Sequence, residues 1–172
     1  MTAALSGHEP LVDQWVAAVD DAVALQEETA DDLRQVPAAV ASRDPAALER
    51  LGDRLRCADA RLAEAAAVRD RLRARLAAAL GCPPADVTLR RLAARADDGR
   101  AAALRRLRER VLAASDALRI QHLRAATLLD AYARAHHAVL VGLLRQGGDA
   151  RTYRTDGTTP WWTERGLLDA RR

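Results

Sequence analysis

His136 and His137 are the residues of this chain nearest to a metal-binding or acid–base arrangement, with Asp130 a helical turn or two upstream. Consecutive residues on a helix point about 100° apart, so one helix does not easily present both imidazoles to one ion. Ser115-Asp116 sets a hydroxyl beside a carboxylate, but no base stands at a suitable spacing, and there is no glycine-rich phosphate loop. Cys57 and Cys82 form neither a Cys-x-x-Cys motif nor a secretory framework. An all-helical enzyme acting on a dicarboxylate would need buried basic groups. The 27 arginines could supply these in number, but no motif singles any of them out. The residue types therefore predict no catalytic site, no cofactor and no metal.

The strongest pattern is structural and runs from Arg100 to Gln146. Leu104, Leu107, Val111, Ala114, Leu118, Ala125, Leu128, Tyr132, Ala135 and Val139 fall at steps of three and four, with Gln121 the polar interruption. That spacing puts an apolar stripe on one helix face. At 1.5 Å per residue such a helix would be roughly 70 Å long. A second row of Leu123, Leu129, His136, Leu140, Leu143 and Leu144 broadens the stripe toward the C-terminal half. A helix this apolar must lie against other helices or against a partner.

Upstream, Pro10 suits a first helical position, and Val12, Trp15, Val16, Val19, Val23, Ala30 and Leu33 continue an apolar stripe. Pro37 predicts an end or a kink near Gln35. Asp44-Pro45 reads as an N-cap followed by a proline at the first helical position. A stripe of Leu48, Leu51, Leu55, Ala58, Leu62, Ala65, Leu72, Leu76 and Leu80 then runs to Gly81, with Val68 standing in beside Arg69. Gly81-Cys82-Pro83-Pro84 is the clearest break. Asp86 or Thr88 can cap a short helix ending near Ala96, and Asp97-Asp98-Gly99 reads as a turn into the long helix. Gly147-Gly148 ends that helix. Residues 149–172 differ in composition, holding Tyr153, Trp161, Trp162 and Pro160, and are expected to form an irregular or mobile tail. The reading is an all-α fold: an antiparallel bundle of three long helices over 1–148, with one short helix and a C-terminal tail over 149–172, and no strand.

Composition agrees. Hydrophobic residues make up 49% of the 172, yet there is no Phe and aromatics are 3%, so the core must be built from Leu, Val and Ala. Residues 1–49 carry ten acidic side chains against Arg34 and Arg43, a net of −8, and the remainder nets +11. An acidic first helix beside basic later ones accounts for this. A basic surface for nucleic acid or anionic lipid is the sharper alternative, but the arginines read as alternating with acids along helix faces. MTAALSGHEP has no basic stretch followed by an apolar core, so no signal peptide is expected. The longest apolar run, Ala138 to Leu144, is far short of the ~20 residues that cross a bilayer. A cytoplasmic chain without membrane insertion is the expectation.

The order of these parts resembles the FlgN family of flagellar type III export chaperones, over nearly the whole chain. The resemblance is carried by Ser42-Arg43-Asp44-Pro45-Ala46-Ala47-Leu48 at the helix–helix junction, Arg69 near the end of the second long helix, Leu128-Leu129 in the last helix, and Tyr153-Arg154-Thr155-Asp156-Gly157 in the tail. Two features depart from the family. Its asparagines in the last helix have no counterpart here, where Gln121 and Ala125 stand, and the Trp161-Trp162 pair is not a family feature.

The resemblance implies a chaperone that holds the hook–filament junction proteins FlgK and FlgL in the cytoplasm and brings them to the flagellar export gate. It further implies that the last helix and tail bind an amphipathic C-terminal segment of that cargo, which is helix-in-groove recognition. The expected partner-binding residues are Leu129, Tyr132, His136, Val139, Leu140 and Leu143, with Tyr153 contacting gate or cargo and Trp161 and Trp162 as aromatic anchors. Two other readings stay open: a basic bundle binding nucleic acid non-specifically, and a homo-oligomeric helical scaffold whose surplus apolar row pairs with its own copy.

Overall fold

The computed structural model describes residues 7–146, 150–151 and 161–162. The fold is all-α, with helices α1 (Glu9–Arg34), α2 (Val36–Ala41), α3 (Pro45–Ala79), α4 (Leu89–Ala93) and α5 (Asp98–Gln146), and a 3-10 turn at Pro84–Asp86. Its contacts divide it into two compact units, Met1–Ala125 and Ala126–Arg172, so the boundary falls inside α5.

Local chemistry sets the helix ends. α1 begins at Glu9, one residue before the expected Pro10, and its N-cap His8 makes no side-chain cap bond. Pro37 ends α1 rather than bending it, because its ring cannot follow the helix without losing a backbone donor. The chain resumes at once as α2 with the proline in its first turn. The Asp44 carboxylate caps α3 by accepting from the Ala46 amide at 2.9 Å. α3 closes in a Schellman arrangement. Gly81 sits at φ +63, its amide donates to the Ala78 carbonyl at 3.2 Å, and the Cys82 amide donates to the Ala77 carbonyl at 3.0 Å.

Thr88 caps α4 by accepting from the Arg91 amide at 3.2 Å, while Asp86 closes the 3-10 turn instead. α4 stops at Ala93, short of the expected Ala96. The expected turn at 97–99 is shorter as well. Asp97 is itself the cap, accepting from the Arg100 amide at 2.9 Å, which leaves Asp98 and Gly99 in the first turn of α5.

In the first unit α3 runs antiparallel to α1, since Arg54 meets Asp32 and Arg61 meets Glu28. α5 runs parallel to α1, because Arg100 meets Asp13 and Arg110 meets Asp20 and Glu27. The unit is therefore an up–down–up bundle. Its main core lies at the end where α1 begins and α3 finishes. There Val12, Trp15 and Val19 pack with Leu76 and Ala77, closed by Val87, Leu89 and Leu92 and by Ala101 and Leu104 of α5. Among the described residues, no helix is long and apolar enough to cross a membrane.

In the second unit α5 continues to Gln146, and a two-residue antiparallel ladder pairs Ala150 with Trp162 and Arg151 with Trp161. This backbone pairing was not expected from the sequence. Two residues per strand are too few for an alternating pattern to register.

Candidate functional site

The apolar stripe of α5 changes character along its length. Leu104 and Ala114 are buried, Leu107, Val111 and Leu118 are half-buried, and Ala125 is buried again. Leu128 and Tyr132 remain half-buried, but Ala135 and Val139 are open to solvent. The second row is exposed throughout: Leu123 and Leu129, then His136, Leu140, Leu143 and Leu144.

Within the second unit this leaves an apolar helix face with Leu129 at 42% exposure, Val139 at 60%, Leu140 at 58% and Leu143 at 62%. These residues recur at helical spacing, so they share one face. Tyr132 and His136, one turn apart, lie with ring centroids 4.4 Å apart at an interplanar angle of 56°. They add a polar-tipped aromatic step to a surface otherwise made of leucine and valine. Arg134 and Asp130 pair with each other, one turn apart, off this row.

Of the expected partner-binding residues, the structure brings Leu129, Tyr132, His136, Val139, Leu140 and Leu143 onto this one face. Trp161 and Trp162 are described only as the ladder strand opposite Ala150 and Arg151. Tyr153 lies outside the described residues, as does most of the expected tail. His136 and His137 are both exposed, and among the described residues no three His, Cys, Asp or Glu side chains gather as a metal site would require. Cys57 and Cys82 are free thiols.

The charge pattern resolves in two parts. Asp13, Asp20, Glu27, Glu28 and Asp32 of α1 are matched across the bundle by arginines of α3 and α5. Arg110 grips Glu27 with two bonds, at 2.9 and 2.7 Å, and reaches Asp20 at 2.6 Å. Hydrogen bonding from Arg110 holds the Glu27 carboxyl below the usual carboxylate range, despite some opposing desolvation. An open groove of about 490 Å³ between α1 and α3, floored by Ala18, Leu25, Ala65 and Val68, is spanned by the Arg61–Glu28 pair at 3.2 Å.

The second part corrects the expectation that arginines simply alternate with acids. Residues 88–110 hold eight arginines against Asp97, Asp98 and Glu109. The tetrapeptide Leu-Arg-Arg-Leu occurs twice there, at 89–92 and 104–107. In each copy the leucines pack on the core and the arginines are exposed, and Arg90 and Arg105, one from each copy, line a common recess. That repeat was the signal available in the sequence.

No family model, no curated protein and no solved structure matches this chain.

Proposed function

We propose that this chain is a cytoplasmic export chaperone of the FlgN kind, without catalytic activity. Its cargo is the amphipathic C-terminal segment of hook–filament junction proteins, and it hands that cargo to the flagellar export gate. The observation that carries the reading is the uncovered leucine face of α5 beyond Ala126, where Leu140, Leu143 and Leu144 are each more than half exposed. Globular proteins rarely leave so continuous an apolar surface without something that covers it. A helical face with anchors at 129, 132, 136, 140 and 143 is complementary to a second amphipathic helix laid along it. A cargo segment unfolded when free would order on this face, and the apolar area buried would offset its lost conformational entropy.

Titration calorimetry with C-terminal peptides of the host's junction proteins tests this. Binding should persist at high salt, weaken when residues 147–172 are deleted, and fall by about tenfold or more in Leu140→Ser/Leu143→Ser, since each buried leucine contributes roughly 1.5–3 kcal/mol. Absence of binding overturns the reading. Binding to duplex DNA with a steep salt dependence would replace it with the nucleic-acid reading, and a concentration-dependent mass would replace it with self-association.

A further inference from the structure

We propose that the recess between α4 and the first turns of α5 binds an acidic, amphipathic peptide segment of a partner protein. The recess has a volume of about 390 Å³ and an apolar floor of Leu89, Ala93 and Ala94. Arg90 stands on the α4 side and Arg105 and Arg108 on the α5 side. Three other arginines of this region are already engaged: Arg91 with Asp86 at 2.6 Å, Arg100 with Asp13, and Arg110 with Asp20 and Glu27. Among the described residues, none of Arg90, Arg105 and Arg108 has a carboxylate within ion-pair distance. All three are exposed.

Three uncommitted guanidinium groups around an apolar floor specify the chemistry of the occupant. Each guanidinium presents a planar fork of donors that matches a carboxylate with two parallel bonds. The floor accepts an aliphatic side chain lying between those carboxylates, and burial of that side chain adds affinity that charge alone does not supply. A nucleic-acid backbone fits less well. It has no use for the aliphatic floor, none of the lining residues is aromatic to stack a base, and the Glu109 carboxylate on the rim opposes a line of phosphates. Glu109 also limits the peptide, placing the partner's carboxylates toward Arg90, Arg105 and Arg108. The site shares no residue with the leucine row of α5, so it stands or falls separately.

The test uses the full chain and a fluorescein-labelled helical peptide with leucines on one face and glutamates elsewhere, read by fluorescence anisotropy. The wild type should bind this peptide more tightly than polyglutamate of equal length. Arg105→Glu/Arg108→Glu should lose at least about tenfold, in line with removal of two charge-assisted contacts, and Glu109→Gln should tighten binding. Arg119→Glu, on the same helix outside the recess, should change nothing. Circular dichroism checks that the variants remain helical, and Arg105→Gln/Arg108→Gln serves as the milder pair if the charge reversal unfolds the chain. Equal affinity for polyglutamate, equal loss in Arg119→Glu, no peptide binding, or displacement of the peptide by duplex DNA at lower concentration than by unlabelled peptide would each overturn the proposal.

Discussion

Trp15 fills the centre of the main core at 5% exposure, yet its indole Nε1 has no acceptor among the described residues. A buried donor left unpaired costs about 1–3 kcal/mol, which subtracts from what the ring contributes by area. Trp15→Phe removes that donor along with part of the ring, so the loss should be about 1 kcal/mol or less. Trp15→Ala should cost about 3–5 kcal/mol through the cavity it leaves. Urea midpoints of the two variants give the comparison. Buried Thr29 shows the opposite case, its hydroxyl donating to the Leu25 carbonyl at 2.7 Å. Glu27 contributes a pH dependence of known sign. Because its folded pKa is depressed by the Arg110 hydrogen bonds, its contribution is complete above the unfolded carboxylate value and is lost as pH falls through the folded one. Glu27→Gln should therefore lose less stability on acidification below the ordinary carboxylate range, and its curve should converge with the wild type at low pH. Parallel acid titrations followed by circular dichroism would show this, and identical slopes would rule it out.

At the scale of elements, the two junctions flanking α3 use the same left-handed backbone with different residues. Gly81 takes it at φ +63 after α3, and Arg43 takes it at φ +54 before α3. A side chain there crowds its own carbonyl, which costs roughly 1–2 kcal/mol, whereas glycine has no such clash. A Cβ built on Gly81 meets nothing within 4 Å, so Gly81→Ala tests backbone conformation alone and should destabilise by that amount. Arg43→Gly should move the other way by up to about 1 kcal/mol. Thermal melts of the two variants should shift in opposite directions.

For the whole molecule, burial along α5 sets an expected gradient of stability. Its first half carries the buried Ala101, Leu104, Ala114 and Ala125, while from Ala126 to Leu144 no described side chain is fully buried. Few buried contacts mean low local opening free energy. Amides of residues 126–146 should exchange with deuterium faster than those of 100–125, and a peptide helix bound on the leucine face as proposed should slow them selectively. Uniform protection along α5 in the free protein would contradict that gradient.

The helices, their breaks and most of their caps were legible in the sequence because each is decided within a few residues. Periodic leucine stripes, Asp44 as a cap, Asp86 or Thr88 as the next, Pro37 as an end or a kink and Gly81 as a break all act on atoms within about one turn, although choosing Thr88 over Asp86 and an end over a kink took the structure. The exposed leucine row could be listed from the sequence too, as Leu129, Val139, Leu140 and Leu143. Its exposure could not, because burial depends on what packs against a helix face once the chain folds. Pairings were equally out of view: Arg110 meets Asp20 across a separation of 90 residues, and no local pattern says which of 27 arginines will find a carboxylate. Only the tertiary packing decided that Arg90, Arg105 and Arg108 share a recess in which, among the described residues, none of them pairs with a carboxylate, Glu109 on the rim included. Local sequence determines torsion and periodicity, whereas charge pairing and burial are properties of surfaces that come together only on folding.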